Sequence, residues 1–331
     1  MQSNLNLVNG QFITLDSDNH HVQSVTIENG KIIDFNSPNP NFKTVDVGNN
    51  IVIPGFIDSH FHLKNYGKRQ DMINLKKIDS IDRVISIIKE KITNNPDMNW
   101  IEGFGWDHNL WGGKYPDADV LNSITDKYPI VLTRIDGHSM WVNNVALSHI
   151  DYSINELNNI SGGSVIQNCI LIDNAMNPIM QIMPNDRVED IERWIKIAIN
   201  NANQMGITNV HDAWQDQNIV EAIQTLIKKK QFNLRCYGML GSAHIKLLTH
   251  FFNTGHFISD LYTIRSVKAF IDGALGSRGA ALHEPYCDDL NTCGLILISK
   301  KDFTKLASHC YKNNFQLNTH AIGDRGNSYV L

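Results

Sequence analysis

The sequence predicts an α/β protein organised as a (β/α) barrel behind a small all-β unit. Three observations lead there. From residue 51 onward, apolar strand-like runs alternate with amphipathic helical ones. Several of those strands end in polar or ionisable residues, and barrel active sites sit at that end of the strands. The first 50 residues instead alternate with period two and carry two Asn-Gly pairs. A doubly wound open sheet shares the strand–helix order, but no G-x-G-x-x-G follows the first strand and nothing resembles a phosphate loop.

The chain has 331 residues, enough for one large α/β domain plus an accessory piece, or for two ordinary domains. Hydrophobic residues at 42% and charged residues at 19% fit a soluble globular protein. The net charge of -5, with no basic block, argues against a nucleic-acid surface. Apolar runs are interrupted by charges well before they span a bilayer, so no membrane partner is expected. The start, "MQSNLNLVNGQF", has neither a basic n-region nor an apolar h-region. Cys169, Cys236, Cys287, Cys293 and Cys310 are scattered and odd in number, which fits a reduced, cytoplasmic protein.

Taken in order, "LNLVNGQFITL" and "SVTIENGKIIDF" read as strand pairs. Asn9-Gly10 and Asn29-Gly30 suit tight hairpins, since both residue types tolerate positive φ. "SIDRVISIIKEKITNN" is an amphipathic helix with Ser80 or Asp79 as its N-cap. "WIEGFGWDHNLWGGKYPDADVL" reads as an ordered aromatic loop, and "PIVLTRIDGHSM" as a strand. "NDRVEDIERWIKIAINNANQMG" is a helix with Gly206 past its end. "ITNVHDA", "NLRCYGML", "SVKAFIDGALG" and "FQLNTHAIGD" supply four further strands.

The strand "IPGFIDSHFHL" ends in His60 and His62, with Asp58 before them. Residues two apart in a strand share a face, so the three point the same way. Two neutral imidazoles on one face can reach a single zinc ion. Asp58 is then either an acceptor for an imidazole N–H or a plain strand-end carboxylate.

Lys268 lies in the apolar run "SVKAFIDG" and shares a face with Phe270 and Asp272. It either faces a barrel interior and needs a partner, or packs its stem under a helix with its charge in water. His320 ends "LNTH", where a further ligand or a satisfied core histidine would sit. His211 and Asp212 point to opposite faces and read as structural. Arg134, Asp136 and His138 alternate onto one face, either to hold a polar substrate or to form an internal salt bridge. Trp106, Asp107 and Trp111 read as a lid wall or as loop packing. Arg278 lies in a Gly-rich loop that covers a site or simply turns.

The ordered set is H-x-H on the first strand, Lys on a middle strand and His on the next. With "PGFIDSHFHL", "GWDHNLW", "DGHSMWVNNVAL", "GITNVHD", "VKAFIDGALGSRGAAL" and "THAIGDRGN", it resembles the amidohydrolase superfamily. The likeness is to its family 3 branch, which includes N-substituted formamide deformylases. The resemblance implies a metal-dependent hydrolase barrel with a small N-terminal β-sandwich over residues 1–50. Residues 51–331 would form the barrel, and 64–200 would be mainly a capping insertion.

It further implies His60, His62, a carboxylated Lys268 and His320 as ligands for one or two ions of zinc or another divalent metal. Asp107, His138 and Arg278 would stand on the substrate side, facing a small-molecule amide-type substrate. The implied reaction is hydrolysis of an amide or other C–N bond. Metal activates water, and a carboxylate moves its proton to the leaving nitrogen. The family pattern continues to a histidine on strand six and a catalytic aspartate on strand eight. Here about five strands are expected and no residue fills that aspartate's role, so an incomplete barrel with impaired activity is expected. The rival expectation is a non-catalytic remnant, or a metal- or ligand-binding fragment that needs a partner chain.

Overall fold

The structure, a computed structural model, describes residues 4–18, 21–96, 98–160, 162–183, 186–275 and 279–331. The strands form three sheets, the second inserted into the third along the chain. The first contains β1 (Leu5–Ile13), β2 (His21–Glu28), β3 (Lys31–Phe35), β4 (Lys43–Asp46) and β5 (Ile51–Val52). β1 is central, antiparallel to β2 and parallel to β4 and β5. Asn29 and Gly30 both take positive φ in the β2–β3 hairpin, as expected.

Asn9-Gly10 does not turn the chain. It lies inside β1, where Asn9 takes φ 56° and the register with β2 shifts between Val8 and Phe12. The pair serves a β-bulge instead of a hairpin. The expected sandwich is represented by this one sheet, with a small core of Phe12, Val22 and Val25.

β6 (Phe56–Phe61) opens the central sheet. The chain then leaves to build a six-stranded sheet from β7 (Ile73–Asn74), β8 (Ile101–Trp106), β9 (Ile130–Arg134), β10 (Ser139–Val142), β11 (Gly163–Ile166) and β12 (Ile170–Asp173). Trp106, Leu132, Trp141 and Ile88 pack on one face of this sheet; Val131, Met140 and Leu171 pack on the other. Two expectations are corrected here. The aromatic "loop" begins as strand β8, whose Ile101, Gly103 and Trp106 are buried. "PIVLTRIDGHSM" is two strands, because Ile135–His138 turns with Gly137 at φ 80°. Arg134, Asp136 and His138 therefore do not share a strand face.

The central sheet resumes with β13 (Ile207–Gln215), β14 (Arg235–Gly241), β15 (Phe257–Ile258), β16 (Tyr262–Phe270) and β17 (Gln316–His320). β6, β13, β14, β16 and β17 form five parallel strands in that order; β15 adds antiparallel to β16. The parallel strands match the five expected from sequence. Helices Gln217–Lys228, Ile245–Thr254 and Lys300–Lys312 connect them in βαβ fashion. Helix Val188–Gln204 leads into β13.

The apolar faces of these helices and strands make the main core, with Ile195, Ile199, Ile223, Leu226, Leu248, Ile264 and Val267. Ser80 caps helix Ile81–Asn94 by accepting from the Arg83 N–H, and Gly206 takes φ 76° after Gln204. No helix of the described residues is long and apolar enough to cross a membrane.

Candidate metal centre

The residues singled out on the strands gather at the C-terminal ends of β6, β16 and β17. His60 lies on β6, and His62 is the N-cap residue of the helix Leu63–Asp71 that follows at once. Their rings stand 5.4 Å apart, centroid to centroid, at 71°. The β6 register against β13 shifts between Asp58 and Phe61, so a bulge interrupts the simple alternation read from the sequence. Asp58 accepts the His60 backbone N–H at 3.0 Å with one oxygen. Burial, then His60, then Lys268 push the His62 imidazole below its ordinary value. His62 is therefore neutral near pH 7, the state that binds metal.

Lys268 is only 5% exposed. Its neighbour Val267 belongs to the core under the helices, so alternation turns Lys268 to the opposite face. The stem is therefore not part of the core that packs under the helices. Among the described residues the Lys268 side chain makes no hydrogen bond or ion pair; its Nζ stands 5.4 Å from the Phe270 ring. Burial lowers its pKa. Phe270 lies 5.0 Å from the His320 ring, and Asn318 pairs with Lys268 across the ladder. The Nε2 of His320 is buried and has no hydrogen-bond partner; its nearest acidic atom is Asp272 Oδ1 at 3.8 Å.

The neutral His62 imidazole and the orphaned His320 nitrogen suit metal ligation, whereas Lys268 would join such a set only as a neutral amine or as a carbamate anion. Among the described residues no three His, Cys, Asp or Glu side chains cluster as a ready metal cage. The set includes a lysine, and His320 is linked to it through Phe270 instead of lying against the two β6 histidines.

The substrate-side candidates behave differently. Asp107 caps the short 3-10 turn after β8, accepting from the Asn109 N–H at 3.1 Å and from Arg134 Nη2 at 3.3 Å. Arg134 also pairs with Asp136, so this cluster is the internal salt bridge. His138 is exposed and its Nδ1 lies 2.8 Å from Asp173 Oδ1. Neither Asp107 nor His138 has a hydrogen bond, ion pair or ring contact with His60, His62, Lys268 or His320 among the described residues. Arg278 lies outside the described residues.

Three residues near the strand ends were given no part in the site by the sequence, which read Asp212 as structural, placed Asp272 only on the face of Lys268 and passed over His244. Asp212, three residues before Gln215 closes β13, is 1% exposed and accepts from the Leu63 N–H at 3.1 Å and from Gln215 Nε2 at 2.8 Å. Burial pushes its carboxyl up to about 7 against those two hydrogen bonds. Asp272 is also 1% exposed. Burial raises its pKa, but N–H groups of Ile322, Ala281 and Gly323 outweigh that and leave it below the ordinary carboxylate range. His244 follows β14, with a buried, unpartnered Nε2 and its ring 5.6 Å from Trp214, which packs on Phe270. Its position after a strand end was the one available sequence signal.

The fold is shared with solved structures. A metal-dependent hydrolase of uncharacterised role from Pyrococcus horikoshii superposes with a TM-score of 0.82 at 24% identity, covering 99% of this chain and 67% of that one. The amidohydrolase family model matches residues 43–331, and the chain belongs to that family. It is 30% identical to the protein LONG AFTER FAR-RED 3 of Arabidopsis thaliana, over 85% of this chain and 51% of the relative. It is 26% identical to the putative amidohydrolase YtcJ of Bacillus subtilis, over 85% of this chain and 55% of the relative. The chain thus spans about half the length of the curated relatives it matches.

Proposed function

We propose that this chain carries the metal-binding strands of a metal-dependent hydrolase that cleaves amide or other C–N bonds in small molecules. The observation that carries the reading is Lys268, buried at a strand end beside His62 with no acidic partner among the described residues. His60, His62, Lys268 and His320 would hold one or two ions of zinc or another divalent metal. A bound ion would supply an activated water and polarise the scissile carbonyl.

The chain's own residues are prepared for this in distinct ways. His62 is held neutral, so its lone pair is free. Burial also favours the neutral amine of Lys268. A neutral Nζ can attack the carbon of carbon dioxide, forming an N–C bond while one C=O electron pair moves to oxygen and a proton leaves Nζ for water. The product is an anion where a cation was costly.

Proton transfer to the leaving nitrogen calls for a free carboxylate. Asp58, Asp212 and Asp272 are each committed to backbone N–H groups. That commitment favours a second reading, in which these strands bind metal and turnover draws on a carboxylate from outside them.

Calorimetric titration with Zn²⁺ at neutral pH tests the proposal. Saturable binding of one or two ions, weakened in Lys268→Ala and in His320→Ala, is expected. Absence of saturable binding contradicts it. Amine release from simple formamides by the loaded chain separates the two readings, since only the first expects turnover without a partner.

A further inference from the structure

Asp212 and Asp272 stand in the same relation to the two histidine-bearing strands. Each is a fully buried carboxylate near the C-terminal end of the neighbouring parallel strand, and each accepts N–H groups just past a histidine. Asp212 lies three residues before the end of β13, which pairs with β6, and takes the Leu63 N–H directly after His62. Asp272 follows β16, which pairs with β17, and takes the Ile322 N–H at 2.9 Å and the Gly323 N–H at 2.7 Å after His320. Its second oxygen also takes the Ala281 N–H at 2.9 Å, tying in the loop that follows β16.

The first N–H groups of a helix have no partner within the helix, and the N-cap side chain normally supplies one. His62 is the N-cap of Leu63–Asp71 yet makes no such bond, and Gly323, the N-cap of Asp324–Val330, has no side chain to make one. At the first, a carboxylate from the adjacent strand takes the first helical N–H, that of Leu63; at the second, it takes the N–H groups of Ile322 and Gly323 in the turn that leads into the helix. At β6 this leaves the His62 imidazole free of the helix it begins. At β17 it fixes the turn that leaves His320. Gly326 leaves room for Asp272, since a Cβ there would stand 2.6 Å from Oδ2.

We propose that Asp212 and Asp272 are positioning residues that pin the backbone just past His62 and His320 from the neighbouring strand and so hold both histidines in place for a metal ion. The inference rests on the metal-binding reading above. It makes unequal demands on the two sites. Both Asp272 oxygens accept N–H groups, so an asparagine must turn its NH₂ toward a donor. At Asp212 an asparagine can keep its oxygen on Leu63, while Gln215 turns its amide over and still bonds to Tyr262.

The test is titration of the purified chain with Co²⁺, read by its visible absorption, alongside thermal melting without metal. Loss of a residue supporting a metal ligand weakens binding about 10–100-fold. Asp272→Asn and Asp212→Val should weaken Co²⁺ binding by that factor and shift the absorption band. Asp212→Asn should retain most of the affinity. Ile88→Ala, in the core of the second sheet, should melt lower and bind Co²⁺ like the wild type. If Asp212→Val does not fold by circular dichroism, Asp272→Asn and the absorption band decide. Wild-type affinity in Asp272→Asn, or an affinity that simply tracks melting temperature across all variants, overturns the positioning role. No Co²⁺ binding by the wild-type chain overturns the metal reading and this inference together.

Discussion

Lys268 Nζ stands 5.4 Å from the centre of the Phe270 ring, two residues further along the same strand. An aromatic face offsets only part of the cost of burying an ammonium group. Without a bound anion or metal, the buried lysine should therefore cost stability. Lys268→Met keeps the stem and removes the charge, and should raise metal-free stability by about 1 kcal/mol or more. The same variant should lose Zn²⁺ affinity. Denaturant unfolding and metal titration of one preparation check both halves; lower stability would show that Lys268 has a partner after all.

The chemical state of that lysine can be read separately. Incubated with ¹³C-bicarbonate and Zn²⁺, the wild-type chain should show a protein-bound carbamate carbon resonance that Lys268→Ala lacks. A resonance common to both would place the carbamate elsewhere.

Gly67 decides how the helix after His62 sits. A Cβ at that position would run into the backbone carbonyl of Trp194 in helix Val188–Gln204. Glycine to alanine inside a helix ordinarily gains about 1 kcal/mol. Here the clash is with backbone, which does not swing aside, so overpacking wins. Gly67→Ala should cost about 1–3 kcal/mol in chemical unfolding.

Asp71 closes the same helix with a charge network. Its carboxylate accepts from Arg193 Nη2 at 2.9 Å, from Trp194 Nε1 at 3.0 Å and from Lys91 Nζ at 3.2 Å. Burial alone would raise its pKa; the Trp194 hydrogen bond, with Lys91 and Arg193, outweighs that and lowers it. A carboxyl lowered in the folded state contributes stability above its unfolded value near 3.9. That contribution is lost as pH falls through the lower folded value. Asp71→Asn should cost about 1–3 kcal/mol at pH 7. The wild-type and variant stabilities should converge as the pH drops below about 4, checked by unfolding at stepped pH.

The five parallel strands were legible because each combines a β-prone apolar run with a polar end, and that pattern survives without any knowledge of partners. His60, His62, Lys268 and His320 stood out for the same reason. Local conflicts hid other features. Gly103 and Gly105 made β8 look like a loop, yet a Cβ at Gly103 would stand 2.7 Å from Leu132 Cδ2, so the strand needs glycine to pack. Asn9-Gly10 supplies the same positive φ to a bulge as to a hairpin, and only the continuing ladder distinguishes them. Asp212 and Asp272 were illegible as supports because their partners are backbone N–H groups far away in sequence; Leu63 is 149 residues from Asp212. A carboxylate's acceptor role toward a distant main chain leaves no trace in local pattern.

The metal site itself is tested most directly by anomalous diffraction at the zinc edge from crystals of the Zn²⁺-loaded chain. The expected result is an anomalous peak at the C-terminal strand ends, within coordination distance of His60 and His62, with Lys268 and His320 turned onto it. A peak bound elsewhere, or none beside His60 and His62 in a loaded crystal, would contradict the assignment.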